Sequence, residues 1–369
     1  MWYPCDFIRQ TSYIQVLLLE SVIVTASPFI DYKGIRHKIL IVLNFWDSGS
    51  SYNLIKHVLN SNFFVDGGLK IMLIIGGSSS QVLSHELSKE IRAREILLDY
   101  KKFPDGETYV RIPADMNSEI VAVVQSMAHR PDEYLMEYFL LVRTLRDLGA
   151  KKIIGIIPYF AYARQDARFR AGEAISLYII RDLLEYVGTD ILITLDLHLH
   201  REGNLNELFN IPVVNLTAME ALAEYVATHF QFKTPVVIAP DEEAEKWAQV
   251  AANVFGGVSF DVLTKKRDVR TGEIEIAPKK LTVKGKDVLI VDDIISTGGT
   301  METAVKMIQA QGAKRIVAAC THPLLIGGAY TNILRAGAEA LISTNSIESP
   351  VSVVSIAPIL AKAISDLSE

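Results

Sequence analysis

Short apolar runs alternate with amphipathic stretches from residue 72 to residue 369. The runs at 72–75, 120–125, 152–157, 191–195, 235–239, 259–265, 287–291, 315–321, 340–343 and 351–354 are four to seven residues long and read as strands, most of them rich in apolar residues. Between them, apolar positions recur at helical spacing over 79–91, 132–148, 174–187, 218–230, 243–254, 301–311, 329–336 and 358–367. Short strands that alternate with helices predict parallel sheets with helices covering them. Residues 1–71 follow neither period. Patches such as Val16-Leu17-Leu18-Leu19 and the pairs Phe45-Trp46 and Phe63-Phe64 stand among isolated charges. The strand-and-turn run Met72-Leu73-Ile74-Ile75-Gly76-Gly77 makes Met72 the expected natural start, with 1–71 an N-terminal extension outside the main fold. A family-specific extra domain or targeting segment is the competing reading.

The pattern repeats. Val121–Gln125 leads into a helical stretch closed by Leu148-Gly149-Ala150-Lys151-Lys152. Residues 288–292 lead into one closed by Gln311-Gly312-Ala313-Lys314-Arg315. In both, a glycine is placed to end the helix in the left-handed conformation, and a basic pair follows near the negative end of the helix dipole. Two related α/β halves are expected, over 72–215 and 216–369, with the last helix placed where it can reach the first half.

Composition narrows the function. The chain has 369 residues, half of them apolar, and a net charge of −6. That balance argues against a general nucleic-acid binder. Cys5 and Cys320 are far apart and lack metal-ligand spacing, which fits a reducing cytoplasm. No uncharged apolar run reaches 18 residues, so no membrane helix is expected, and residues 13–24 make a poor signal peptide because Glu20 interrupts them.

Chemistry concentrates at residues 288–300, where a strand ends in Asp292-Asp293 and a loop Ser296-Thr297-Gly298-Gly299-Thr300 opens a helix. Loop amides and a helix N-terminus suit a phosphate. Two carboxylates suit vicinal sugar hydroxyls. The first half has Gln125-Ser126 in place of the acids and no such loop, so one sugar-phosphate site per chain is expected.

Residues 288–300 resemble the 5-phosphoribosyl-diphosphate loop of the type I phosphoribosyltransferase fold. Phe103-Pro104-Asp105-Gly106-Glu107, the stretch Pro158-Tyr159-Phe160-Ala161-Tyr162-Ala163-Arg164-Gln165-Asp166, and Asp196-Leu197-His198 resemble ribose-phosphate pyrophosphokinases. Lys265-Lys266-Arg267-Asp268 is similar to archaeal members. The resemblance covers 72–369 and implies two tandem phosphoribosyltransferase-type domains, each a mostly parallel sheet flanked by helices. It implies transfer of the diphosphoryl group of MgATP to O1 of ribose 5-phosphate, giving 5-phosphoribosyl 1-diphosphate and AMP. Asp292, Asp293, Ser296, Thr297, Gly298, Gly299 and Thr300 would bind ribose 5-phosphate. Arg164, Gln165 and Asp166 would bind ATP, together with Phe103, Asp105 and Glu107 reaching into a neighbouring subunit, which implies a homodimer or larger homo-oligomer. Lys265 and Arg267 would close on the transferring group. His198 would serve catalysis and, with Asp241, hold Mg2+; His200 is a weaker candidate. Ala174 and Glu242-Glu243-Ala244 depart from common family wording, which bears on regulation and on the Mg2+ geometry. A single-domain phosphoribosyltransferase would not need the ATP-side motifs. A non-enzymatic relative would be expected to lose the loop cations or the acid pair.

Overall fold

The computed structural model describes residues 23–28, 39–44, 72–117, 119–168, 170–199, 205–267, 274–276 and 279–367. The chain divides into two units, Met1–Gly68 and Leu69–Glu369. In the first, β1 (Ile23–Pro28) pairs antiparallel with β2 (Ile39–Asn44). Ile23–Pro28 carries Thr25 and Ser27, whereas Ile39–Asn44 is apolar up to its last residue, so the two share no common pattern.

The second unit contains two six-stranded parallel sheets. One is built from β3 (Met72–Gly76), β4 (Arg94–Ile96), β7 (Ile120–Val124), β8 (Lys152–Ile156), β9 (Ile191–Leu195) and β10 (Val213–Leu216). Its order is β10-β9-β8-β7-β3-β4. The other is built from β11 (Pro235–Ala239), β12 (Phe260–Val262), β15 (Asp287–Ile295), β16 (Arg315–Pro323), β17 (Ala340–Thr344) and β18 (Ser352–Val354). Its order is β12-β11-β15-β16-β17-β18. Placed side by side, β3 corresponds to β11, β7 to β15 and β8 to β16, so the repeat in the sequence is a repeat of topology. Strands β3 and β9 are buried at every residue because helices cover both faces of the sheet.

The helix Pro131–Asp147 starts at a proline, carries Asp132 and Glu133 in its first turn, and buries Leu135, Tyr138, Leu141, Val142 and Leu145. Proline at the first turn lacks an N–H that would be unsatisfied anyway, and the acids favour the positive helix end. Gly149 and Gly312, just after this helix and its counterpart Gly299–Ala310, have φ of 88° and 84° as left-handed helix ends require. The last helix, Ala357–Asp366, lies on the first sheet's side of the molecule. Its Ala357, Leu360 and Ile364 share a core with Met72, Ile74, Leu83 and Leu87. Glu86 anchors the approach by accepting hydrogen bonds from Asn345 (2.8 Å) and Ser355 (2.6 Å).

Two antiparallel hairpins stand apart from the sheets. One joins β5 (Asp99–Lys102) to β6 (Thr108–Arg111), and the other joins β13 (Lys265–Arg267) to β14 (Ile274–Ile276). The run 259–265, expected as one strand, is two: β12 ends at Val262, and β13 begins a separate hairpin at Lys265. Leu263, fully buried, marks the break by plugging into the second half's core while the chain leaves the sheet.

Candidate active site

The C-terminal ends of the two sheets meet. From the first sheet, the turn after β9 carries Asp196, Leu197 and His198. From the second, β15 carries Asp292 and Asp293, and the adjacent β16 carries Thr321 and His322. Register sets these neighbours side by side, with Asp292 opposite Cys320 and Ile294 opposite His322.

The two acids are neighbours in space as well as in sequence, each acting on the other's charge, but they differ in exposure. Asp293 is 2 % exposed and turns inward. Its Oδ1 accepts the N–H of Ile294 at 2.7 Å and its Oδ2 lies 2.7 Å from His198 Nδ1. Asp292 keeps part of its surface open, while its Oδ1 accepts the Asp293 N–H at 3.0 Å. Burial, the Asp293 carboxylate and Asp241 push the Asp292 carboxyl well above its ordinary range. Burial works against the charge on Asp293, but the hydrogen bond and positive charge of His198 hold its carboxyl below the usual value. Burial likewise opposes charge on His198, yet Asp293 and the Glu243 carboxylate, 3.8 Å from Nε2, raise its pKa above the ordinary histidine value.

Behind this contact lies a pocket of about 210 Å³. The segment after β8 lines one side with Tyr159, Phe160, Tyr162, Arg164 and Gln165. Asp196 and His198 line another, and Ile294 and His322 come from the second half. Arg164 is near enough for its charge to act on both Tyr159 and His198. Gln165 donates to Ala167 O and to Glu173 Oε2, both at 3.2 Å, which folds the 164–173 segment on itself. Asp166 is buried at 7 % exposure beneath that segment.

The loop after β15 opens the helix Gly299–Ala310. Gly298 stands at the helix start with φ 80°, and no side chain caps the helix. The loop is pinned from behind by Ile326 N–H donating to Ser296 O at 2.9 Å. Uncapped first-turn amides are chemically suited to an anion. Asp241 follows β11 and accepts the Ala244 N–H at 3.2 Å, capping the short 3-10 helix Glu242–Ala244.

Of the residues singled out in the sequence, Arg164, Gln165 and His198 line the pocket, and Asp293 is bonded to His198 at its edge. Asp292, Asp241 and the 296–300 loop belong to the neighbouring strand ends of the second sheet. Phe103, Asp105 and Glu107 are exposed on the tip of the β5–β6 hairpin and do not line this pocket. Phe103 packs edge-on against Tyr109 at 5.9 Å, with Lys101 Nζ 5.3 Å from its ring centre. Lys265 and Arg267 lie on β13 with their side chains outside the described residues, as does all of His200.

His322 escapes a reading of sequence alone, and Asp196 enters it only within the Asp196-Leu197-His198 motif, with no role of its own. Asp196 is 3 % exposed with φ 37°, an unusual conformation for a residue bearing a Cβ. His322, also buried, places Nε2 3.0 Å from Leu195 O and Nδ1 2.9 Å from Ser346 Oγ. Burial holds its pKa below the ordinary histidine value. The available signal was a polar Thr321-His322 at the end of an apolar strand, the same arrangement that marked His198.

Fold and site together define a protein of two tandem phosphoribosyltransferase-type domains. Residues 72–188 match the model for the N-terminal domain of ribose phosphate pyrophosphokinase, and 204–340 match the phosphoribosyl transferase domain. The ribose-phosphate pyrophosphokinase of Methanobrevibacter smithii is 40 % identical over 304 residues, spanning 80 % of this chain and all of that one. That of Saccharolobus solfataricus is 38 % identical over 284 residues, spanning 75 % of this chain and 93 % of its own. The crystal structure of phosphoribosylpyrophosphate synthetase from Mycobacterium smegmatis has a TM-score of 0.72 at 30 % identity, covering 81 % of this chain and 99 % of that one. The chain belongs to the ribose-phosphate pyrophosphokinase family, as its motifs led us to expect.

Proposed function

We propose that the chain transfers the diphosphoryl group of ATP to O1 of ribose 5-phosphate, giving 5-phosphoribosyl 1-diphosphate and AMP. The observation that carries this reading is the 2.7 Å contact between His198 and Asp293. It joins an aromatic and cationic pocket, suited to a nucleotide, to an acidic strand end with an amide-lined loop, suited to a sugar phosphate.

In this reading the amides of Ser296, Thr297, Gly298, Gly299 and Thr300 hold the 5-phosphate. Asp292, the more open acid, accepts the ribose hydroxyls, and Asp293 fixes His198 against the same strand end. Arg164 neutralises ATP phosphates beside Gln165 and Asp166, with Tyr159 and Phe160 enclosing the pocket. The O1 oxygen attacks the β-phosphorus, the bond from that phosphorus to the α–β bridging oxygen breaks, AMP leaves with the bond's electrons, and O1 loses its proton. There is little covalent work for the protein, so catalysis is positioning and charge neutralisation. Lys265 and Arg267, on their hairpin, supply the cations that close on the diphosphoryl oxygens.

The donor set fits Mg2+. Asp241 and Asp292 are hard oxygen donors whose mutual repulsion a cation would relieve, and His198 borders them. Mg2+ takes few protein oxygens and completes its shell with phosphate and water, so a small donor set is enough. When bound, Mg2+ would neutralise charge on the phosphates. The exposed Phe103 hairpin, with Asp105 and Glu107, supports an ATP site completed by a second subunit of a homo-oligomer. No helix among the described residues is long and apolar enough to cross a membrane, and a cytoplasmic location fits the proposed chemistry.

The test is product analysis. Purified full-length protein with ribose 5-phosphate and MgATP should release AMP in step with 5-phosphoribosyl 1-diphosphate. ADP as the sole nucleotide product would identify an ordinary kinase and overturn the reading.

A further inference from the structure

The Asp196 carboxylate is held from three directions. Oδ1 accepts the Trp247 indole N–H at 2.8 Å. Oδ2 accepts the Ala218 N–H at 3.0 Å and the Thr321 hydroxyl at 2.6 Å. Asp196 closes the first sheet's strand β9, whereas Trp247 and Thr321 belong to the second half. Thr321 is fully buried, and its backbone carbonyl separately accepts the Thr344 and Ser346 hydroxyls, each at 2.7 Å. Next to it, His322 grips Leu195 O. The residues 195–198 are thus held twice by one pair of neighbouring strands: by β16 at Leu195 and Asp196, and by β15 at His198 through Asp293.

A left-handed residue with a side chain persists where its surroundings over-determine it. Here three donors converge on one carboxylate, and the turn they hold sends the chain directly into His198. We infer that Asp196, clamped by Thr321, is a positioning residue for His198: it sets the turn that aims the imidazole at Asp293 and the acidic strand end. This rests on the diphosphotransfer reading for its kinetic test, but the clamp itself is read from geometry.

Thr321→Val removes the hydroxyl and keeps both the β-branched shape and the backbone carbonyl. A shift of the imidazole by a fraction of an ångström to one ångström should lower kcat roughly tenfold to a hundredfold. KM for ribose 5-phosphate should stay within about twofold of wild type, because the 296–300 loop is untouched. Thr321→Ser, which retains the hydroxyl, should restore kcat. In a His198→Ala background the Thr321→Val change should have no further effect, since residues that act through one another are not additive. A non-kinetic readout accompanies these: the His198 ring signal in ¹H–¹⁵N spectra, assigned by its loss in His198→Ala, should move in Thr321→Val and return in Thr321→Ser. Asp196→Asn is the second variant; it is isosteric, and its amide must face at least one donor, so it should move the same signal.

Wild-type kcat in Thr321→Val, an equal fold-loss in both backgrounds, or an unmoved ring signal in folded variants would overturn the inference. If wild-type protein forms no AMP, the diphosphotransfer reading fails, and the ring signal alone still decides whether Asp196 and Thr321 aim His198.

Discussion

Gly298→Ala tests the phosphate-loop geometry at its tightest point. Gly298 has φ 80°, where an alanine costs about 1–2 kcal/mol in backbone strain. A Cβ there would sit 2.8 Å from the Ala329 Cβ, 3.3 Å from its Cα and 3.4 Å from Ile333 Cδ1. Ala329 and Ile333 are fully buried in the helix Ala329–Arg335, so the clash cannot be relieved by a flexible side-chain end. Overpacking of this kind costs about 1–3 kcal/mol more. The total is a loss of about 2–5 kcal/mol in folding stability, reduced to the extent that the loop moves away. Movement of the loop has its own cost: one misaligned amide-to-phosphate bond is worth about 1.5–3 kcal/mol, or roughly ten- to a hundredfold in ribose 5-phosphate affinity. Denaturant midpoints and the KM for ribose 5-phosphate measure the two effects. Gly299→Ala is the control, because nothing lies within 4 Å of its Cβ and its φ is ordinary; its folding stability should be unchanged. A Gly298→Ala protein with wild-type midpoint and wild-type KM would refute the reasoning.

Two further outcomes follow from the charges. Asp292→Asn removes the carboxylate that burial and two neighbouring acids disfavour, so the melting temperature should rise while KM for ribose 5-phosphate also rises; a fall in melting temperature would contradict the electrostatic account. His198 has its pKa raised in the folded chain, so its contribution is full below the ordinary histidine value and is lost as pH rises through the raised one. Asp293 has a lowered pKa, so its contribution is lost only as pH falls through that lowered value. Wild-type stability should therefore decline as pH rises above the ordinary histidine value, by an amount that His198→Ala abolishes; an equal decline in both proteins would exclude the pair as its source.

Most of the sheet strands are legible as sequence because a strand buried on both faces must be apolar throughout. Residues 72–76 are such a run, and so are 191–195 apart from Thr194. The β5–β6 hairpin is not legible: Asp-Tyr-Lys-Lys and Thr-Tyr-Val-Arg lie exposed or half-buried on a hairpin outside the sheets, with no continuous apolar run to mark them. The same logic divides the site. Asp292, Asp293 and the 296–300 loop are contiguous, so their chemistry is visible as a motif. The Asp293–His198 bond joins residues 95 apart, and the Thr321–Asp196 bond joins residues 125 apart, so neither has a local signature. The motif also presents its two acids as equivalent. The structure makes them unequal, with Asp293 buried against His198 and Asp292 keeping part of its surface open.

The position of the helix Ala357–Asp366 has a consequence for how the molecule comes into being. A chain emerges from the ribosome in sequence order, so the first sheet is complete at β10 nearly a hundred and fifty residues before this helix is made. Until then, Ile74, Leu83 and Leu87 lack the partners Leu360 and Ile364 that complete their core. The nucleotide-side half thus waits, with an apolar face unfinished, for the sugar-side half to be synthesised. A chain interrupted late loses the cover of the half made first, and that coupling favours nascent chains that are either whole or discarded.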